Sequence, residues 1–82
     1  METQIKAQIE KEIAKCNRRI YWSTHPQPYW IERRAILMNS LHYGFKTALG
    51  DIEKTLSKSP QYSAEIVKAN QDTLSDIQTK WA

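Results

Sequence analysis

From Ile31 to Leu56 the chain repeats one spacing without interruption. Ile31, Ala35, Met38, His42, Phe45, Leu49, Ile52 and Leu56 follow one another at steps of four and three, with His42 the one polar member. This is the seam of an α-helix packed along a neighbour, kept in phase for more than three heptads. Leu37, Leu41 and Ala48 widen the face, and Gly44 and Gly50 lie inside it. Gly50-Asp51 resembles a stop followed by a new cap. The seam crosses it without changing phase, so the pattern predicts one helix over 28–58. An interior glycine costs a helix roughly 0.5–1 kcal/mol against Ala. Close approach of a neighbouring helix is the expected compensation.

Breakers are scarce elsewhere: two Gly and three Pro in 82 residues. Pro26 and Pro28 set off a first helix over 4–21, where Ile5, Ile9, Ile13, Cys16 and Ile20 share one face and Thr3 is the candidate cap. The residue before a proline avoids the helical region. His25 and Gln27 are therefore expected to be extended in a loop over 22–27, with Gln27 capping and Pro28 opening the middle helix. Ser59-Pro60 marks the start of a third helix over 60–81. Its seam is Ser63, Val67, Asn70, Leu74, Ile77 and Trp81, broadened by Tyr62 and Ile66. The expected fold is all-α: an antiparallel three-helix bundle, or helical hairpin with a third member, built as a single domain around a long middle helix with coiled-coil-like seams.

That helix would reach about 45 Å and its neighbours about 27–32 Å at ~1.5 Å per residue, which leaves part of its seam uncovered. A folded chain of 9.6 kDa is expected to expose about 5,100 Å². The burial this allows is nearly offset by the entropy of ordering the chain. Both considerations predict a homo-oligomer, with the uncovered part of the middle seam as its face. Within that seam and its neighbour, His42 and Asn70 are polar residues of the kind that fix register.

One cysteine excludes an internal disulfide. No apolar run approaches the ~18 residues of a membrane span, and the first residues are too polar for a signal peptide. A cytoplasmic protein without membrane contact is expected. His25, His42 and Cys16 are too few and too scattered for a zinc site, and a glycine-rich phosphate loop is missing. No metal and no cofactor are expected. A catalytic role would need Cys16 paired with His42. Cys16 reads better as a small core hydrophobe, and the chain is read as a non-enzyme.

The net charge of +3 is unevenly placed. Residues 15–50 carry six positive charges against one negative, whereas the segments on either side each carry −1. Within this basic part, the 17 residues from Arg18 to Arg34 hold four of the eight aromatics. Arg18, Arg19, Tyr21, Trp22, His25, Tyr29, Trp30, Arg33 and Arg34 are the candidate binding residues. Trp, Tyr and Arg dominate binding hot spots, and Arg both stacks on aromatic rings and grips anions with two donors. The same residues also suit a plainer role, capping the open end of the core with arginine stems laid over them.

The expected function is protein binding, by a module of inhibitor, adaptor or chaperone type. The alternative is capture of a phosphate-bearing ligand, a nucleotide or RNA, by the Arg/Trp/Tyr cluster. Duplex DNA is disfavoured, because a helix-turn-helix needs shorter helices and a tighter turn.

Overall fold

The computed structural model describes residues 2–58 and 61–81. They form α1 (Glu2–Tyr21), α2 (Pro28–Tyr43), α3 (Phe45–Ser57) and α4 (Ala64–Asp76), and α4 runs on into a wider π-helical turn over Ile77–Trp81. The chain is all-helical, with no strand among the described residues. None of the described helices is long and apolar enough to cross a membrane.

Local sequence accounts for most of the boundaries. Gln27 is extended (φ −71°, ψ 138°) and Pro28 opens α2, where its missing N–H costs nothing. Ser63 caps α4 by accepting the Ile66 N–H at 3.3 Å, which satisfies one of the orphan donors of a first turn. The helix thus begins at Ala64 rather than at 60. The expected start at Ser59-Pro60 lies outside the described residues.

The expected long middle helix is divided. Gly44 adopts φ 92°, ψ 166° and separates α2 from α3. Side chains essentially never occupy this region, so the break falls at the glycine that can adopt it. Gly50 stays inside α3. Neither glycine has a neighbouring atom within 4 Å of where a Cβ would stand, so close helix approach does not explain them. Among the described residues the architecture is four α-helices, not three.

The break inverts one half of the seam. In α3, Ile52 is buried and Phe45, Leu49 and Leu56 are partly buried. In α2, Ile31, Ala35, Met38 and His42 are all exposed. The core face of α2 consists instead of Arg33, Ile36, Leu37 and Ser40. Arg33 and Ser40 hide that face from a hydrophobic reading, yet both are satisfied inside. Ser40 donates to the Ile36 carbonyl at 3.0 Å, and Arg33 is described below. His42 therefore sits on no buried seam, contrary to the register role expected of it.

The core joins Ile9 and Cys16 of α1, Ile36 and Leu37 of α2, Ile52 of α3 and Ile77 of the π turn. Asn70 is buried on the predicted face of α4. Its amide donates to Glu32 Oε1 (3.2 Å) and the Ile66 carbonyl (2.8 Å), and its Oδ1 has no partner among the described residues. Tyr29 bonds Asp72 and Arg33 bonds Asp76, one turn further along each helix, so α2 and α4 run in the same direction. The molecule is flattened, measuring 35 × 31 × 19 Å. Its short dimension is about two helix diameters.

Opposite effects follow at the two glycines. Gly44→Ala forces a side chain into a glycine-only conformation and lowers stability by about 1–3 kcal/mol. Gly50→Ala fills open space in a helix interior and raises stability by about 0.5–1 kcal/mol. Thermal unfolding of the pair checks both signs, at about 4–8 °C per kcal/mol for a domain of this size.

Candidate functional site

Two arginine pairs flank the loop between α1 and α2, and the structure gives them different tasks. Arg33 is 5% exposed. Its Nη2 pairs with Asp76 Oδ2, its Nη1 donates to Thr73 Oγ1 at 3.2 Å, and Glu12 lies 3.8 Å from Nη2. Thr73 passes the chain on, donating to the Ala69 carbonyl at 2.6 Å. Burial pulls the Arg33 pKa down, but the hydrogen bond and the charge of Asp76 outweigh it and leave it above its ordinary value. Arg34 Nη1 donates to Asn17 Oδ1 of α1 at 2.9 Å. Arg33 thus locks α2 to α4, and Arg34 locks α2 to α1.

Tyr29 belongs to the same lock. Its hydroxyl donates to Asp72 Oδ2 at 2.7 Å. Burial, reinforced by that carboxylate, pushes its pKa up to about 12. The Tyr29 ring meets Trp30 edge-on, with centroids 4.9 Å apart. Two cations lie over the half-buried Trp30 ring: Arg19 at 5.4 Å and Lys15 at 5.9 Å from its centroid. These distances are within reach of cation–π attraction.

Arg18 and Arg19 close the last turn of α1, where positive charge complements the helix dipole. Among the described residues neither forms an ion pair with a carboxylate. Both line an open groove of about 530 Å³ with Trp22, Ser23, His25, Gln27 and Trp30. Trp22 is 87% exposed and Tyr21 is 79% exposed.

The nine residues singled out in the sequence are thus not one cluster. Arg18, Arg19, Trp22, His25 and Trp30 share the groove, and Tyr21 stands exposed next to Trp22 in sequence. Tyr29, Arg33 and Arg34 are turned into the fold. Sequence reasoning missed their partners Glu12, Asn17, Asp72, Thr73 and Asp76. The one available signal was the acidic i, i+4 pair Asp72/Asp76, on a helix that must lie beside a basic one.

Cys16 and His42 do not assemble a dyad. Cys16 is fully enclosed in the core, where burial pushes its thiol pKa up. His42 is exposed, edge-on to Tyr43 at 5.6 Å. No group of three or more potential metal ligands occurs among the described residues.

The lock and the groove separate by mutation. Asp76→Asn leaves Arg33 buried beside a neutral partner and costs on the order of 3 kcal/mol in chemical denaturation, whereas Arg18→Ala stays within about 0.5 kcal/mol of the wild type. The tyrosine lock has a pH signature. With its folded pKa raised from 10 to about 12, Tyr29 contributes stability that is fully present below pH 10 and is lost as pH rises through 12. The melting-temperature gap between wild type and Tyr29→Phe therefore narrows between pH 10 and 12.

Comparison with protein-family models, with curated proteins and with solved structures gives no match.

Proposed function

We propose that this chain is a small non-enzymatic protein-binding module, of inhibitor, adaptor or chaperone type, working in the cytoplasm. It contacts its partner with Arg18, Arg19, Tyr21, Trp22 and His25, while Trp30 forms the back of the groove. The observation that carries this reading is Trp22, 87% exposed beside a groove edged by two arginines that have no carboxylate partner among the described residues. An indole left in water gains apolar burial when a surface closes over it. Unpaired guanidinium groups beside it select a partner that brings carboxylates. Such an aromatic–arginine group is the composition of a hot spot. Tyr29, Arg33 and Arg34 support the platform without meeting the partner. Self-association is part of the same proposal.

A second reading rests on the groove itself. Arg18, Arg19 and His25 line the same space as Trp22 and Trp30, so a phosphate gripped by arginine would have an aromatic face nearby for a base to stack on.

Affinity capture tests the first reading. One stoichiometric protein is recovered by the wild type, and Trp22→Ala weakens its binding by about 2 kcal/mol or more, on the order of 30-fold, with the helical circular dichroism unchanged. Equal recovery by Trp22→Ala removes the loop as the contact. A rise in melting temperature with a nucleotide or short RNA, abolished in Arg19→Ala, selects the second reading.

A further inference from the structure

A cleft of about 140 Å³ lies between α2, α3 and α4 and shares no lining residue with the loop groove. Its floor is Ile36, Ala48, Ile52 and Asn70, all buried. Its rim carries Glu32 and Asn39 of α2 and Asp51 and Thr55 of α3. Asn70, 1% exposed, is the one polar member of the floor, and its Oδ1 has no partner among the described residues. We propose that this cleft binds a hard divalent cation, of calcium type, through Asn70 Oδ1 and the carboxylates of Glu32 and Asp51.

The neighbours of Asn70 set the orientation of its amide. Nδ2 donates to a carbonyl and to a carboxylate, Ile66 O at 2.8 Å and Glu32 Oε1 at 3.2 Å. Turning the amide over would set Oδ1 against both of these oxygens, so the atom left over is an acceptor. A buried acceptor that meets no donor or cation is costly. The other oxygens of the cleft accept as well. Thr55 Oγ1 spends its proton on the Asp51 carbonyl at 2.9 Å and keeps its lone pairs. Among the described residues neither Glu32 nor Asp51 forms an ion pair, and no Lys, Arg or His lines the cleft.

This chemistry selects the occupant. Carboxylate and amide oxygens suit calcium or magnesium, whereas zinc prefers the nitrogen and sulfur ligands that the cleft lacks. A divalent ion balances both carboxylates, an ammonium group balances one, and a water balances neither. Calcium accepts the irregular coordination that side chains from three separate helices supply, where magnesium demands a near-ideal octahedron. The volume equals about four to five waters at ~30 Å³ each. That leaves room for an ion and for waters that complete its roughly six to eight oxygen ligands. Only two of the side chains are acids, so the place carries no cluster of three or more His, Cys, Asp or Glu, and none occurs among the described residues. Glu32 and Asp51 stand on opposite sides of Gly44, so a bound ion ties α2 to α3 across the joint.

Calorimetric titration with calcium chloride tests the site. The expected Kd is about 0.1–1 mM, the weak end for calcium sites, as suits two carboxylates. About 10 mM calcium raises the melting temperature by about 5 °C or more above sodium chloride of equal ionic strength, and magnesium raises it less. Asp51→Asn, at an exposed position, weakens binding by about tenfold or more with the helical circular dichroism unchanged. Glu53→Gln, exposed on the same helix and outside the cleft, keeps the wild-type Kd. In isotope-labelled protein the NMR signal of the Asn70 side-chain amide moves with the same saturation.

A calcium effect no larger than that of sodium chloride overturns the site and leaves water as the donor to Oδ1. Full binding by Asp51→Asn, or an Asn70 signal that stays in place, overturns this cleft as the location. A larger rise with magnesium overturns the calcium type. A rise with methylammonium chloride and none with calcium overturns the metal.

Discussion

The arrangement of the helices depends on bringing one guanidinium inside. A buried arginine is tolerable only where its charge is matched and its donors are used. Arg33 meets that condition through Asp76 and Thr73 on α4, with Glu12 of α1 nearby. Three helices are thereby aligned on one side chain, and the match is directional where packing of methyl groups is not. Tyr29 and Asp72, one turn earlier on each helix, repeat the same pairing. Two polar rungs with a common spacing fix how far α4 is slid along α2, a choice that the apolar contacts of Ile36, Leu37 and Ile77 leave loose. Lys80 lies 3.4 Å from the second oxygen of Asp76, so the carboxylate at the end of α4 is held from two sides where the helix widens.

The all-helical class was legible because it rests on period and on the scarcity of breakers, both of which are properties of the bare sequence. The face of α1 was legible for the same reason: Ile9 and Cys16 are buried, Ile5 and Ile13 pack against the core, and Ile20 is partly buried. The face of α2 was not. A hydrophobic count gives Arg33 and Ser40 to solvent and Ile31 and Met38 to the core, and the structure reverses all four. What decides the matter is whether partners exist for the polar groups: Ser40 finds the Ile36 carbonyl on its own helix, and Arg33 finds its partners about 40 residues away, on α4. The division at Gly44 was hidden too. Phase continuity is a statement about sequence, whereas a break is a statement about one pair of dihedral angles. Gly50 carries the same residue type without the break.

The candidate site shows the same limit at smaller scale. Composition identified the stretch from Arg18 to Arg34 as the place where charge and aromatics gather, and an open groove is found there. It could not tell a structural arginine from an available one. Arg18 and Arg19 end a helix with no carboxylate paired to them among the described residues, while Arg33 and Arg34 sit inside one and meet Asp76 and Asn17. The difference is positional, set by which face each pair turns inward, and so it waits on the α2 face that the sequence misread.

Gly44 carries a consequence for the shape the chain can take. The spacing of the seam is preserved across it, so a straight helix through residues 28–58 would set both halves of the stripe in a single line about 45 Å long. The compact slab and such a rod share their helical turns but not the packing between them, since straightening the joint parts Arg33 from Asp76 and Thr73 and opens the core that Ile36 and Leu37 share with Ile52 and Ile77. Extension there would carry α1 and α2 away from α3 and α4 as a unit. Gly44 thus divides the fold into two halves, α1 with α2 and α3 with α4, which the Arg33 bonds to Asp76 and Thr73 fasten across the joint.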